Sequence, residues 1–209
     1  AACKATPPLA IPRKFQKPSV KRVPPKYAKH DNVLELILKA IPASDRRAGI
    51  LFMSFSGARS SEVADVLVED YDPKAGTITL SHTKNDDPRV VALPDFVNEV
   101  CRRLLLEDPK ARLFGFPSRF AVYSEVKRAA KRAKVAFLSP HKLGRHTFAA
   151  RFLRDGNSLA SLKEAGGWRS IGAVMVYAHL EKKNVDAAIR NVSTPLKIDS
   201  DVTVCAQRI

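Results

Sequence analysis

Six side chains of this chain could between them attack a phosphodiester: Arg59, Lys84, His141, Arg145, Trp168 and Tyr177. They stand in that order, inside the strings SGARSSEV, HTKNDD, HKLGRHTFAA, GGW and VYAHL. The chemistry needs a nucleophile, compensation for charge gathering on phosphorus, and a proton for the departing oxygen. A tyrosine phenol can attack phosphorus and stay bonded to it, so that the stored ester can be resealed without a metal or ATP. Guanidinium groups are planar, bidentate and always charged, which suits a crowded phosphorane. A donor placed where charge develops is typically worth about 3 kcal/mol. A lysine on a mobile loop can give the leaving oxygen its proton, and an imidazole can accept one. An indole N–H only donates, so it can hold a phosphate oxygen but shuttles nothing.

Position supports some of these roles and leaves others open. Arg59 follows Gly57-Ala58 at the start of a helix, from which its side chain can reach inward, with Glu62 one turn on as its obvious carboxylate partner. Arg145 shares a helix face with Ala149 and Phe152 and so points toward buried ground, where it could clamp a phosphate or simply pair with a carboxylate. Lys84 lies in a turn, where a lysine is ordinarily solvated, and Arg89 ends the same loop as a candidate phosphate contact. His146 falls about 100° round the helix from Arg145 and, like His179, reads as structural. Ile171, Val174, Met175 and Ala178 define an apolar face, and Tyr177 lies about 110° from its centre, on the flank. A tyrosine that only filled the core would more naturally occupy the centre. Trp168, the sole tryptophan, can serve core and phosphate at once.

The elements that must position these groups follow from periodicity. Val33, Leu34, Ile37, Leu38 and Ile41 mark one helix face after an Asp31 N-cap, and Ala48, Leu51, Phe52 and Phe55 mark the next. Gly57 breaks that helix, and SSEVADVL resumes helical spacing. The period then switches to two: a turn over 72–76, alternation over Thr77–His82 and an apolar run Val90–Leu93 predict a small sheet with a hairpin loop over Thr83–Pro88. Pro94 opens a helix expected to reach about Glu107. A helix over 119–135 turns Val122, Val126, Ala129 and Ala133 inward and carries Lys127, Arg128, Lys131, Arg132 and Lys134 outside, a solvated face or, in so basic a chain, a DNA-bound one. Helices over about 142–155, 158–165 and 170–190 follow, and Ile198, Val202 and Val204 on one side of the tail predict a strand at Lys197–Cys205.

Bulk properties narrow the partners. Thirty-six Lys and Arg against 21 Asp and Glu leave a net charge of +15 in 209 residues, which points to a polyanion, most commonly nucleic acid. Residues 1–30 hold eight Lys/Arg, six Pro and no acid. Such a segment cannot bury a core and is expected to be a basic arm along DNA phosphates, a passive linker, or both. Cys3, Cys101 and Cys205 are too few and too scattered for a disulfide framework or a zinc site, and the five histidines show no metal spacing, so neither metal nor cofactor is expected. No apolar run is long enough for a membrane span and no secretory pattern opens the chain, so no membrane partner and a cytoplasmic, nucleoid-associated location are expected.

In order and wording the strings resemble the tyrosine recombinase (phage integrase) family over roughly Asp31–Asn191. The resemblance implies an α+β fold, mainly helical with a small three-stranded antiparallel sheet, and a division into arm (1–30), catalytic domain (31–192) and tail (193–209). It implies a site-specific recombinase or integrase that cuts and rejoins double-stranded DNA through a 3′-phosphotyrosyl link at Tyr177, with Arg59 and Arg145 as clamps. Lys84 is then the general acid, Trp168 a phosphate ligand, and Glu62 the group that orients Arg59. His141 would accept the phenol's proton or bind a phosphate oxygen. The family works as a homotetramer assembled on DNA, sometimes with accessory DNA-bending proteins, and usually carries an N-terminal core-binding domain. None is visible here, so a catalytic-domain fragment is expected. The sequence departs from the family's usual His-x-x-Arg in having one residue more between His141 and Arg145, with Gly144 a candidate to absorb it. A topoisomerase IB-like nicking-closing enzyme and a catalytically silent DNA-binding module are the alternatives.

Overall fold

The computed structural model describes residues 31–81, 88–104 and 107–180. The expected arm, the Lys84 loop and the tail strand lie outside them. The helical stripes fold as their spacing dictates. Helix α1 (Asp31–Lys39) buries Leu34 and Ile37, and α2 (Ser44–Ser56) buries Ala48, Ile50, Phe52 and Met53. Gly57, left-handed at φ 67, ends α2, and α3 (Ser60–Asp65) starts three residues later.

Strands β1 (Tyr71–Asp72), β2 (Thr77–Leu80) and β3 (Arg89–Ala92) form an antiparallel sheet in sequence order. The Asp72 carboxylate shapes the first turn by accepting the N–H groups of Lys74 and Ala75. Leu80 pairs with Arg89, which sets that arginine at the root of the second hairpin. Helix α4 (Asp95–Arg102) stops short of the expected Glu107. Its end tightens into an i→i−3 bond, the Leu104 N–H to the Cys101 carbonyl at 2.9 Å, where the α-helical ladder stops. Helix α5 (Arg119–Arg132), capped by the Ser118 hydroxyl on the Ala121 N–H, turns Val122, Val126 and Ala129 inward.

The extra residue between His141 and Arg145 is taken up as a π-helical turn, Lys142–His146, which leads into α6 (Thr147–Arg154). A π turn bonds each N–H one residue further back than an α turn, so it holds the insertion while keeping both ends on one side. Gly144, the candidate to absorb that residue, lies within the turn. It presses against α2, where an added Cβ would stand 2.5 Å from Met53 Cγ. Helix α7 (Leu159–Gly166), the short α8 (Ile171–Val174) and a 3-10 turn Met175–Tyr177 complete the described chain.

Two apolar clusters result. The larger joins α1 to α5, the sheet and Leu143; the smaller packs Phe148, Ala149, Leu153, Leu162, Val174 and Tyr177, with Trp168 against it. Tyr177 is only 2% exposed, which corrects its expected place on the flank of a helix face. The 3-10 turn explains the shift: positions three apart eclipse in that geometry, so Val174 and Tyr177 go inward while Ile171 and Met175 face solvent.

Candidate active site

The site is assembled where the two clusters meet, starting from a buried carboxylate. Arg59 is the N-cap residue of α3, and its backbone N–H donates to Glu62 Oε2 at 2.8 Å. Its guanidinium also bonds Glu62 Oε1, and Arg89 Nη2 reaches Glu62 Oε2 at 3.0 Å. Burial alone would raise the Glu62 carboxyl, but the Arg59 N–H and the charges of Arg89 and Arg59 outweigh it and hold the pKa below the ordinary value. Arg89, expected as a phosphate contact, places Nη2 on Glu62 and Nη1 on the Ala165 carbonyl at 3.0 Å.

A second node is the Gly167 carbonyl. Gly167 is left-handed at φ 61, the C-cap of α7, and it turns its oxygen toward both guanidinium groups. Arg59 Nη2 donates to it at 3.3 Å and Arg145 Nη2 at 3.4 Å. Arg145 is almost fully buried; its Nη1 donates to the Gly57 carbonyl at 2.7 Å, and its Cζ lies 3.8 Å from the centre of the Trp168 ring. Burial, then the nearby charges of Arg59 and Arg89, lower its pKa to about 10, so it stays charged at neutral pH. Two sequence-distant arginines are thus brought to one oxygen. The Arg59 side chain is 30% exposed and opens to solvent.

The phenol also neighbours Trp168, whose ring meets that of Tyr177 edge-on with centres 6.2 Å apart. Burial pushes the Tyr177 pKa up to about 12, against the pull of Arg145. Its hydroxyl is hydrogen-bonded to His146 Nδ1. His146 touches His141 in turn, ring edge to face at 4.5 Å. Desolvation, then Arg145 and Arg59, lower the pKa of His141, which sits at the surface end of this chain of rings. For His146, burial and then the neighbouring His141, Lys142 and Arg145 bring the pKa to about 4, so the ring is neutral at physiological pH.

Of the residues singled out in the sequence, Arg59, Glu62, Arg89, Arg145, Trp168 and Tyr177 therefore share one site, with His141 at its edge. Lys84 lies outside the described residues. The α5 stripe divides. Arg128 and Arg132 bond the buried Glu125 at 2.7 and 2.8 Å, while Lys127, Lys131 and Lys134 are exposed. Sequence reasoning missed His146 as a partner of Tyr177. Its spacing on an ideal helix points it away from Arg145's face, and the π turn that re-aims it leaves no signal beyond the one-residue insertion.

The model of the phage integrase family matches residues 27–184. The chain belongs to the phage integrase family. Among its relatives, the tyrosine recombinase XerA of Saccharolobus solfataricus is 29% identical over 148 residues, covering 70% of this chain and 50% of the relative. XerA of Thermococcus kodakarensis is 28% identical over 194 residues, covering 84% and 67%. The chain thus spans half the length of the first and about two thirds of the second. In fold it is similar to the catalytic domain of bacteriophage HP1 integrase, with a TM-score of 0.62 at 23% identity over 80% of this chain and 95% of that one. The expected fold class, mainly helical with a three-stranded antiparallel sheet, is the one observed.

Proposed function

We propose that the chain is the strand-transferring part of a site-specific DNA recombinase or integrase, with Tyr177 as the nucleophile. The observation that carries the reading is the meeting of Arg59 and Arg145 on the Gly167 carbonyl, one aromatic ring away from the Tyr177 phenol. The Arg145 charge acts on the phenol, and fixed positive charge beside a hydroxyl suits attack on a phosphodiester.

In this reading the scissile phosphate enters beside Arg59, whose exposed edge binds it, while Arg145 adds buried charge and Trp168 offers its indole N–H to a phosphate oxygen. The Tyr177 oxygen bonds phosphorus and the P–O5′ bond breaks. That leaves a 3′-phosphotyrosyl link and a free 5′-hydroxyl, with Lys84 supplying the proton the departing oxygen takes. His141 binds a phosphate oxygen. Glu62 and Arg89 hold Arg59 in place, and rejoining is the same path reversed. No metal or ATP is required, since the covalent link keeps the bond energy. A homotetramer on double-stranded DNA, with accessory bending proteins where sites demand them, would complete recombination in the cytoplasm at the nucleoid. Support for DNA as substrate comes from the charge of +15 and from fold neighbours such as XerH, described as bound to its difH substrate in a post-cleavage complex.

The test uses a pool of nicked duplexes of random sequence, in which the strand beyond the nick diffuses away after cleavage and traps the intermediate. Wild type should yield a protein–DNA adduct that survives denaturation, and Tyr177→Phe should yield none. An adduct formed by Tyr177→Phe, or none formed by wild type, overturns the reading.

A further inference from the structure

The phenol's partner is a residue to which neither the family resemblance nor the site's two arginines assign a role. We propose that His146 is a catalytic residue, the base that takes the Tyr177 proton as the tyrosyl oxygen bonds phosphorus and returns it when the strand is rejoined. This rests on the strand-transfer reading above.

Geometry comes first. His146 Nδ1 and the Tyr177 hydroxyl are in hydrogen-bond contact, with ring centres 5.7 Å apart, so the proton has no gap to cross. The contact is between partners 31 positions apart and is fixed from both ends. The π turn that follows the His141–Arg145 insertion aims the imidazole, and the 3-10 turn that buries Tyr177 aims the phenol.

Charge comes second. The groups facing His146 are His141, which precedes its turn, Lys142 and Arg145 within it, and Tyr177 from the 3-10 turn. Burial and the cationic members of that set keep the ring neutral, and the proposed role takes the tautomer protonated on Nε2, whose Nδ1 lone pair accepts from the phenol. A neutral imidazole does not remove the proton from a resting phenol whose pKa is about 12. Transfer becomes favourable only as the oxygen enters the phosphate ester and loses its basicity, so the nucleophile is activated only when phosphorus is present.

The balance closes within the site. The Tyr177 O–H bond breaks, the O–P bond forms, the proton becomes the imidazolium's Nδ1–H, and the 5′ oxygen leaves with the proton that the acid supplies. The anionic phosphate stabilises the imidazolium while the link persists. His141, at the open end of the ring pair, is left to the phosphate oxygens.

A duplex recovered from the adduct-forming pool serves as probe, with single-turnover adduct formation as readout. His146→Asn keeps a polar side chain beside the phenol but cannot take its proton at neutral pH. It should slow adduct formation about a hundredfold or more, and its rate should climb about tenfold per pH unit as hydroxide replaces the base. His146→Ala should be slow and should recover in added imidazole. Circular dichroism and melting of each variant separate slow chemistry from misfolding, and imidazole rescue itself requires a folded site. Asn activity within threefold of wild type with an unchanged pH profile, or an Ala variant indifferent to imidazole, overturns the assignment while leaving Tyr177's role standing. Loss of the adduct in wild type, by contrast, removes the strand-transfer reading itself.

Discussion

Arg59, Arg89 and Arg145 are each held from two or more directions, by Glu62 and by the carbonyls of Gly57, Ala165 and Gly167. The Tyr177 hydroxyl has one hydrogen-bond partner among the described residues, His146, and stands on a 3-10 turn after a four-residue helix. The contrast fits two different tasks. Charge that stabilises a transition state works best when it needs no reorganisation at the moment of reaction, so over-determination helps it. On the proposed reading Tyr177 has to close on phosphorus and withdraw again, so the short segment that carries it has to release its ring from the smaller apolar cluster, in which it is buried.

The sharpest way to break the rigid half is Arg145→Ala. It removes a buried charge donor and leaves the Gly57 carbonyl, now without its 2.7 Å partner, inside the protein. Adduct formation should fall about a thousandfold. Stability should fall by about 2 kcal/mol, the cost of unsatisfied buried acceptors. Single-turnover kinetics and urea melts measure the two together; a normal rate in a folded variant would remove Arg145 from the site.

Glu62→Gln tests the same half one step back. Taking one partner from a buried ion pair leaves Arg59 and Arg89 uncompensated, at a cost of roughly 3 kcal/mol. Activity should drop about tenfold, less than for Arg145, because Arg59 keeps its charge and loses only its orientation. The pH dependence carries a sign. The folded carboxyl titrates below its ordinary value of 4.5. Its stabilisation is therefore complete above that value and is lost as pH falls through the folded pKa. Melting temperature of wild type should decline on that acid side, and Glu62→Gln should flatten the decline. An equal slope in both proteins would show that Glu62 is not the group responsible.

Two of the three pinned arginines were also legible. Arg59 and Glu62 lie one helical turn apart, and Arg145 is in phase with Ala149 and Phe152, so ordinary helix geometry placed them. The apolar stripes of α1, α2 and α5 and the two-residue alternation of β2 were readable for the same reason. What escaped depends on departures from the α period. The π turn at Lys142–His146 and the 3-10 turn at Met175–Tyr177 each change which residues share a face, and those two turns bring His146 to Tyr177. Arg89 was singled out as a phosphate contact, but its pairing with Glu62 escaped for another reason: it crosses from sheet to helix over 27 positions, a contact no local period encodes.

The same distinction between pinned and open charge divides the basic stripe on α5, and here the expected effects are smallest. Arg132 reaches the Ala40 carbonyl at 2.7 Å as well as Glu125, and Arg128 also bonds Glu125, so both serve the fold. Lys127, Lys131 and Lys134 are exposed, and each could neutralise a phosphate. Replacing one lysine by alanine should weaken duplex binding only a few-fold. It should also lower the slope of log Kd against log salt by about 0.9, one counterion's share, for any sequence of duplex. Arg128→Ala should instead lower the melting temperature and leave that slope almost unchanged. Fluorescence anisotropy across a salt series distinguishes them. A triple lysine variant with the wild-type slope would place DNA on another face and confine the role of α5 to the core.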